Sequence, residues 1–222
     1  MQAVGVGLVG LGTVGGGLVN VLERNGEDIA RRAGRRIEVL QAAVRDPKRS
    51  RICNTDGLLL TDQAMEVVNN PEIDIVVELM GGCDTALEIV SAALANGKHV
   101  VTANKALIAL HGNEIFQQAH ARGLMVAFES AVAGGIPIIK AIREGLAGNR
   151  IDWLAGIING TGNFILSKMS DEGREFDEVL AQAQALGYAE ADPAFDIEGI
   201  DAAHKLAILA SIAFGKIGRA HV

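Results

Sequence analysis

Three glycines, two lysines and a group of carboxylates are the residues whose types and spacing could do chemistry. Gly10-Leu11-Gly12-Thr13-Val14-Gly15 has the spacing G-x-G-x-x-G. Between a strand and a helix, such a loop turns tightly at its first glycine. The second glycine lets the backbone approach a pyrophosphate, and the third lets the helix pack on the sheet. The helix N-terminus then offers N–H groups and a positive dipole end to the phosphates. Gly10, Gly12 and Gly15 are the candidate cofactor-binding residues of the motif. The motif by itself is weak, since a glycine turn without a ligand uses the same residues. Its strength comes from the elements around it.

A second strand after such a loop discriminates between dinucleotides. An acid there suits the ribose 2′-hydroxyl of NAD, and a basic end suits the 2′-phosphate of NADP. Here the strand ends in Arg45, with Lys48, Arg49 and Arg51 close behind, so NADP is favoured. Asp46 is adjacent and keeps NAD open, and a solvated charge run after a turn is the bland alternative.

Lysine can act as an acid or base when burial or a neighbouring cation tunes it. Lys105 follows an apolar stretch, Val100-Val101-Thr102, at the end where open α/β sheets bind ligands. Lys205 lies in an otherwise apolar helical pattern, four residues after Asp201. Read alone, that pair is an ordinary i,i+4 salt bridge. Glu190, Asp192 and Asp196 crowd the preceding loop. They read either as helix N-terminal charges or as a site for a substrate ammonium group. His99, His111, His120 and His204 show no metal spacing, and Cys53 and Cys83 make neither a disulfide framework nor a ligand pattern.

The elements that must position these residues alternate in the first half of the chain. Val4–Val9, Ile37–Val44, Ile73–Leu79, Val100–Thr102 and Leu124–Phe128 read as strands. Val14–Arg24, Thr85–Asn96 and Glu114–Arg122 read as helices. This is the pattern of βα units and a Rossmann-type doubly wound parallel sheet. The texture changes near residue 130. Gly134-Gly135-Ile136-Pro137 opens a helix, Ile151–Ile158 reads as a strand, and Asp177–Leu186 and Gly199–Phe214 read as helices. We expect a dinucleotide-binding domain over 1–130, then a partial α+β catalytic and dimerisation domain over 131–222.

A second domain of roughly 90 residues with so few strands could not bury its own sheet face. The chain therefore reads as the front part of a longer one. Ile217–Val222 reads as foreign to it, because Ile-Gly-Arg-Ala-His-Val is what one frame of a common sequencing adapter encodes. Met1 stands directly before the first strand, which argues against an upstream fused kinase.

Composition excludes several classes. Of 222 residues, 49% are hydrophobic and 21% charged, a globular balance. The net charge of −7 argues against nucleic-acid binding through phosphates. Ala3–Leu22 is uncharged and about as long as a membrane span, but it holds seven glycines and lacks a basic start. A strand, a turn and a helix account for it better, and a cytoplasmic location is expected.

In their order along the chain, these segments resemble the homoserine dehydrogenase family. The likeness rests on the loop from Gly10 to Gly17, on Val101-Thr102-Ala103-Asn104-Lys105, and on the run from Phe128 to Ile139. Asn159-Gly160-Thr161-Gly162-Asn163-Phe164-Ile165-Leu166, Gly187–Pro193 and Asp196–Leu206 follow in order. Many members have Thr or Ser where this chain has Gly162, a change expected to be tolerated because glycine fits any turn.

The resemblance implies that Lys205 donates a proton and that Lys105 contacts cofactor and substrate. It places Gly187, Glu190, Asp196 and Asp201 around homoserine, and Thr13, Val14, Arg45 and Lys105 along the cofactor. It also implies a sodium ion held by Glu129 and the backbone oxygens of Val132, Gly134 and Ile136, a hard-oxygen donor set. A homodimer is implied for the whole protein. Two rival readings stay open. One is another amino-acid-pathway dehydrogenase on the same nucleotide domain, which the Gly187–Leu206 segment disfavours. The other is a cofactor-binding module without catalysis.

Overall fold

β1 (Val4–Val9) is built from valine, leucine and glycine, and five of its six residues are buried. Such a strand must be covered on both faces, which places it inside a parallel sheet. The computed structural model, which describes residues 2–215, shows this arrangement. β1 pairs in parallel with β2 (Ile37–Ala43) on one side and with β4 (Ile75–Glu78) on the other. β3 (Leu59–Thr61), β5 (His99–Thr102) and β6 (Val126–Ala127) complete a six-stranded parallel sheet of order β3-β2-β1-β4-β5-β6. The order reverses between β1 and β4, and ligands of such sheets bind outside the carboxyl ends of the strands at that switch point.

Four helices serve the crossovers: α1 (Thr13–Ala33), α2 (Ala64–Asn69), α3 (Asp84–Ala95) and α4 (Lys105–Ala121). One core cluster joins Val6, Leu8, Ala42 and Val77 of the sheet to Leu11 and Val44, with Leu18 and Val19 of α1 packed against it. Leu8 is fully buried, and truncating it to alanine would cost about 2–5 kcal/mol. No helix among the described residues is long and apolar enough to cross a membrane.

The chain divides into two units, Met1–Ala131 and Val132–Val222. In the second, α5 (Ile138–Lys140) runs into a wide turn over Ala141–Gly145, and α6 (Gly160–Glu172), α7 (Phe176–Ala185), α8 (Ala194–Ile197) and α9 (Ile200–Phe214) follow. Ile165 of α6, Val179 and Ala183 of α7 and Ala189 form its core cluster, with Phe164, Met169 and Leu180 against it.

Several elements differ from the sequence reading. α1 runs on through Asn25-Gly26 to Ala33 and stops at Gly34, whose φ of 72° ends the helix. β3 and α2 were not foreseen, because three and six residues are too short to show a period. α4 begins at Lys105 and not at Glu114, because Asn104 caps it. Gly160–Gly162 opens a helix and is not a turn. Ile151–Ile158 forms no strand. A strand needs a neighbour for its N–H and C=O groups, and the described residues of this unit contain no other strand. Trp153 and Ile157 of this stretch are 76% and 77% exposed. Ile217–Val222 lies outside the described residues.

Candidate functional site

The glycine loop leaves β1 with Gly10 at φ 109°, a conformation that favours glycine, and a Cβ there would lie 2.7 Å from the Leu79 carbonyl oxygen. The loop is anchored by Gly10 N–H to the Ala43 oxygen at 3.0 Å and by Leu79 N–H to the Val9 oxygen at 2.8 Å. Gly15 packs so tightly that a Cβ would sit 2.4 Å from the Gly10 oxygen. Gly12, the N-cap of α1, is the opposite case: a Cβ there meets nothing within 4 Å. The backbone is bare where a phosphate would approach, and the first turn of α1 holds no acidic residue to repel one.

A cleft of roughly 360 Å³ lies along this loop. Val9–Gly12 line it together with Ala43–Asp46, Arg49, Arg51 and Leu79–Gly81. Thr13 and Val14, in the first turn of α1, are exposed. The basic residues divide their work. Arg51 places one terminal nitrogen on the Leu11 oxygen at 2.7 Å and the other on the Asp46 oxygen at 2.6 Å, clamping the glycine loop to the turn after β2. Its buried Nε has no hydrogen-bond partner. Arg45 and Arg49 are exposed on the cleft. The Asp46 side chain accepts from Lys48 N–H at 2.9 Å, an Asx turn that folds it back on its own loop.

The far wall of the cleft rests on a residue the sequence reading passed over. Glu78, the last residue of β4, is fully buried. Its Oε1 accepts from Met80 N–H at 2.6 Å and its Oε2 from the Thr102 hydroxyl at 2.6 Å. Burial pushes its carboxyl above the usual carboxylate range, against the opposing pull of the Thr102 and Met80 hydrogen bonds. Thr102 accepts in turn from Asn104 N–H at 2.9 Å. Asn104 donates to the Gly82 oxygen at 2.7 Å, and its Oδ1 caps α4 through Leu107 N–H at 3.0 Å. Lys105 is therefore the first helical residue beyond a fixed cap. Another buried ionisable group, Lys98, bonds the Asn70 and Ile73 oxygens at the amino edge of the sheet, away from the cleft.

The second unit contains its own cavity of roughly 570 Å³, lined by Asn159, Gly160, Thr161, Phe164, Tyr188, Asp196, Asp201 and Lys205. Lys205 Nζ donates to Asp201 Oδ2 and to the Ile158 oxygen, both at 2.7 Å. Its hydrogen-bond partners are an anion and a carbonyl, not a second cation. Asn159 Nδ2 donates to Asp196 Oδ1 at 2.7 Å and to Asp201 Oδ2 at 2.9 Å, while its Oδ1 caps α6 through Gly162 N–H at 2.6 Å. Thr161 donates to the Tyr188 oxygen at 2.6 Å, and the Phe164 and Tyr188 rings meet edge-on. Asp201 is 5% exposed.

Of the residues singled out for substrate, the cavity brings together Asp196 and Asp201, and it sets the expected proton donor Lys205 beside them. Glu190 is exposed outside its lining, and Gly187 closes α7 with φ 75°, next to Tyr188. Asn159, which joins the two aspartates, was not foreseen as a site residue. A loop-like Asn-Gly-Thr-Gly run hides its role as a cap facing two acids. The described residues hold no cluster of three or more His, Cys, Asp or Glu able to bind a metal.

Residues 10–129 match the family model described as "Homoserine dehydrogenase, NAD binding domain", and residues 137–220 match the one described as "Homoserine dehydrogenase". A homoserine dehydrogenase from Pseudomonas aeruginosa is 69% identical over 97% of the chain and 49% of its own length. The crystal structure of one from Thiobacillus denitrificans superposes with a TM-score of 0.91 at 64% identity, over 98% of this chain and 51% of that one. A hyperthermophilic archaeal homoserine dehydrogenase in complex with NADPH gives 0.80 at 29% identity, over 97% of this chain and 71% of that one. The chain spans about half the length of the curated relatives it matches.

Proposed function

Because the chain belongs to the homoserine dehydrogenase family, we propose that it supplies the cofactor-binding unit and the proton-donating part of an NADP-dependent enzyme. That enzyme interconverts L-aspartate 4-semialdehyde and L-homoserine. The observation that carries this reading is the Asp196–Asn159–Asp201–Lys205 network, which holds one ammonium donor and two carboxylates on a single cavity.

A bound nicotinamide supplies hydride to the aldehyde carbon, or takes it from the alcohol carbon. The protein's part is to place groups and move one proton. An ammonium has three donors, and Lys205 places two of them on Ile158 and Asp201. The third protonates the alkoxide oxygen as the carbonyl is reduced, and in reverse the amine accepts the hydroxyl proton. Asp201 aims Lys205, and Asp196 presents negative charge to the amino group of the substrate. Glu190 and Gly187 complete the substrate set and Lys105 serves cofactor and substrate, an assignment supported by family likeness. Charge and position support NADP over NAD. Arg45 and Arg49 are exposed on the cleft beyond β2, while Asp46 is engaged in its own turn.

The sodium ion remains part of the proposal. Its donors, Glu129 with the carbonyls of Val132, Gly134 and Ile136, lie along one stretch in which Gly134 takes φ 58°. One carboxylate with three carbonyls suits a hard cation. A homodimer in the cytoplasm belongs to the same proposal, and sedimentation tests the dimer.

The deciding experiment compares the protein with Lys205→Ala. NADPH affinity is measured by fluorescence titration, and homoserine oxidation by NADPH formation. Loss of turnover with unchanged NADPH affinity supports the assignment. Turnover that survives in Lys205→Ala refutes the proton-donor role, and a protein that binds neither NADPH nor NADH refutes the cofactor reading.

A further inference from the structure

A buried carboxylate at the end of a central strand needs a physical reason. Glu78 is fully enclosed and Thr102, beside it on β5, is 1% exposed. Two apolar side chains would satisfy the sheet at lower desolvation cost. What the carboxylate adds is direction. An ionised carboxylate only accepts hydrogen bonds. Met80 N–H and the Thr102 hydroxyl must therefore both point at it, and the Thr102 oxygen is left facing Asn104 N–H. Asn104 carries the order on to the Gly82 carbonyl and to the cap of α4. One chain of bonds thus ties the loop after β4 to the loop after β5, and the first of these lines the cofactor cleft through Leu79, Met80 and Gly81.

The two halves of the sheet have different duties. The β1–β2 side carries the basic residues that would meet the adenosine ribose, so the β4–β5 side is left for the other mononucleotide. We infer that Glu78 and Thr102 are positioning residues for the nicotinamide half of the bound dinucleotide: they fix the backbone of residues 79–82 and the start of α4, including Lys105, in the arrangement the nicotinamide and its ribose require. This rests on the cofactor reading above. Neither residue need touch the cofactor.

The test uses two ligands that share the adenosine half, NADPH and 2′,5′-ADP, against the wild type, Thr102→Val, Thr102→Ser and Glu78→Gln. Thr102→Val removes the hydroxyl that links Glu78 to Asn104. Its affinity for NADPH should weaken about tenfold, the worth of a buried hydrogen-bonded link, with 2′,5′-ADP affinity unchanged. Thr102→Ser keeps the hydroxyl and should restore NADPH binding. Glu78→Gln, with its oxygen kept on Met80 N–H, turns its NH2 toward Thr102 and reverses one bond, and it should weaken NADPH in the same selective way. It also keeps the test alive if Thr102→Val does not fold. The proposal is overturned if the variants bind NADPH as the wild type does, or if they lose both ligands equally along with thermal stability. A wild-type protein that binds neither ligand would overturn the cofactor reading instead.

Discussion

Asn159 is the residue on which the second unit's polar network turns, and replacing it tests that network directly. In Asn159→Ala three bonds vanish: the cap on Gly162 N–H and the donations to Asp196 and Asp201. A lost cap costs about 1 kcal/mol, and a hydrogen bond to a charged group about 1.5–3 kcal/mol. Asp201 keeps Lys205 at 2.7 Å, and the half-buried Asp196 can rehydrate, so the terms do not simply add. A net loss of about 2–4 kcal/mol follows, a fall in melting temperature on the order of 10 °C or more for a unit of this size. Asn159→Asp is the sharper probe. It keeps the capping oxygen but turns the 2.7 and 2.9 Å donor contacts into carboxylate against carboxylate. At neutral pH it should be at least as unstable as the alanine variant, although aspartate is as good a cap as asparagine.

The new carboxyl, surrounded by two others, should have a folded pKa above its unfolded one. Its contribution is then most favourable below the unfolded value and is lost as pH rises through the folded value. Mild acid should therefore rescue Asn159→Asp relative to Asn159→Ala. Circular dichroism melts across pH, with amide exchange of α6 to assign the transition, give the answer. An aspartate variant as stable as wild type at neutral pH, or one that loses ground to the alanine variant on acidification, would refute the reasoning.

The glycine loop separates packing from binding. Gly12→Ala should melt with the wild type yet bind NADPH far more weakly, because the added methyl enters only the space a phosphate would use. Gly15→Ala should lower the melting temperature, since its methyl would press on the Gly10 oxygen. Equal effects of the two on stability would contradict the assigned roles. Glu78 makes a pH prediction of its own. Its pKa is raised on folding, so wild-type stability relative to Glu78→Gln should increase as pH falls and level off below the ordinary value of 4.5. Urea titrations at several pH values check this, and the opposite slope would show that hydrogen bonding, not desolvation, dominates the group.

The parallel sheet was legible because a doubly buried strand and a glycine loop leave strong local marks, as Val4–Gly15 does. Lys205 and Asp201 stood out because their spacing puts them on one helix face. Glu78 and Asn159 did not. Glu78 sits at the end of an apolar run and looks like a surface charge that closes a strand. Only the pairing of β4 with β5 brings Thr102 to it, and such pairing is not written in either segment alone. Asn159 has the look of a turn residue. Its value comes from acids 37 and 42 positions away. Ile151–Ile158 shows the converse: a β-rich segment has the composition of a strand, but the ladder that makes it one must come from somewhere else.

That same segment makes the protein its own optical gauge. Trp153 is the only tryptophan in the sequence and stands almost entirely in water. Its emission reports on this one stretch, with no competing indole anywhere in the chain. An apolar surface that comes to lie over Trp153 would shift that emission to the blue, so a spectrum reads the coverage of a stretch that forms no ladder, without label or mutation.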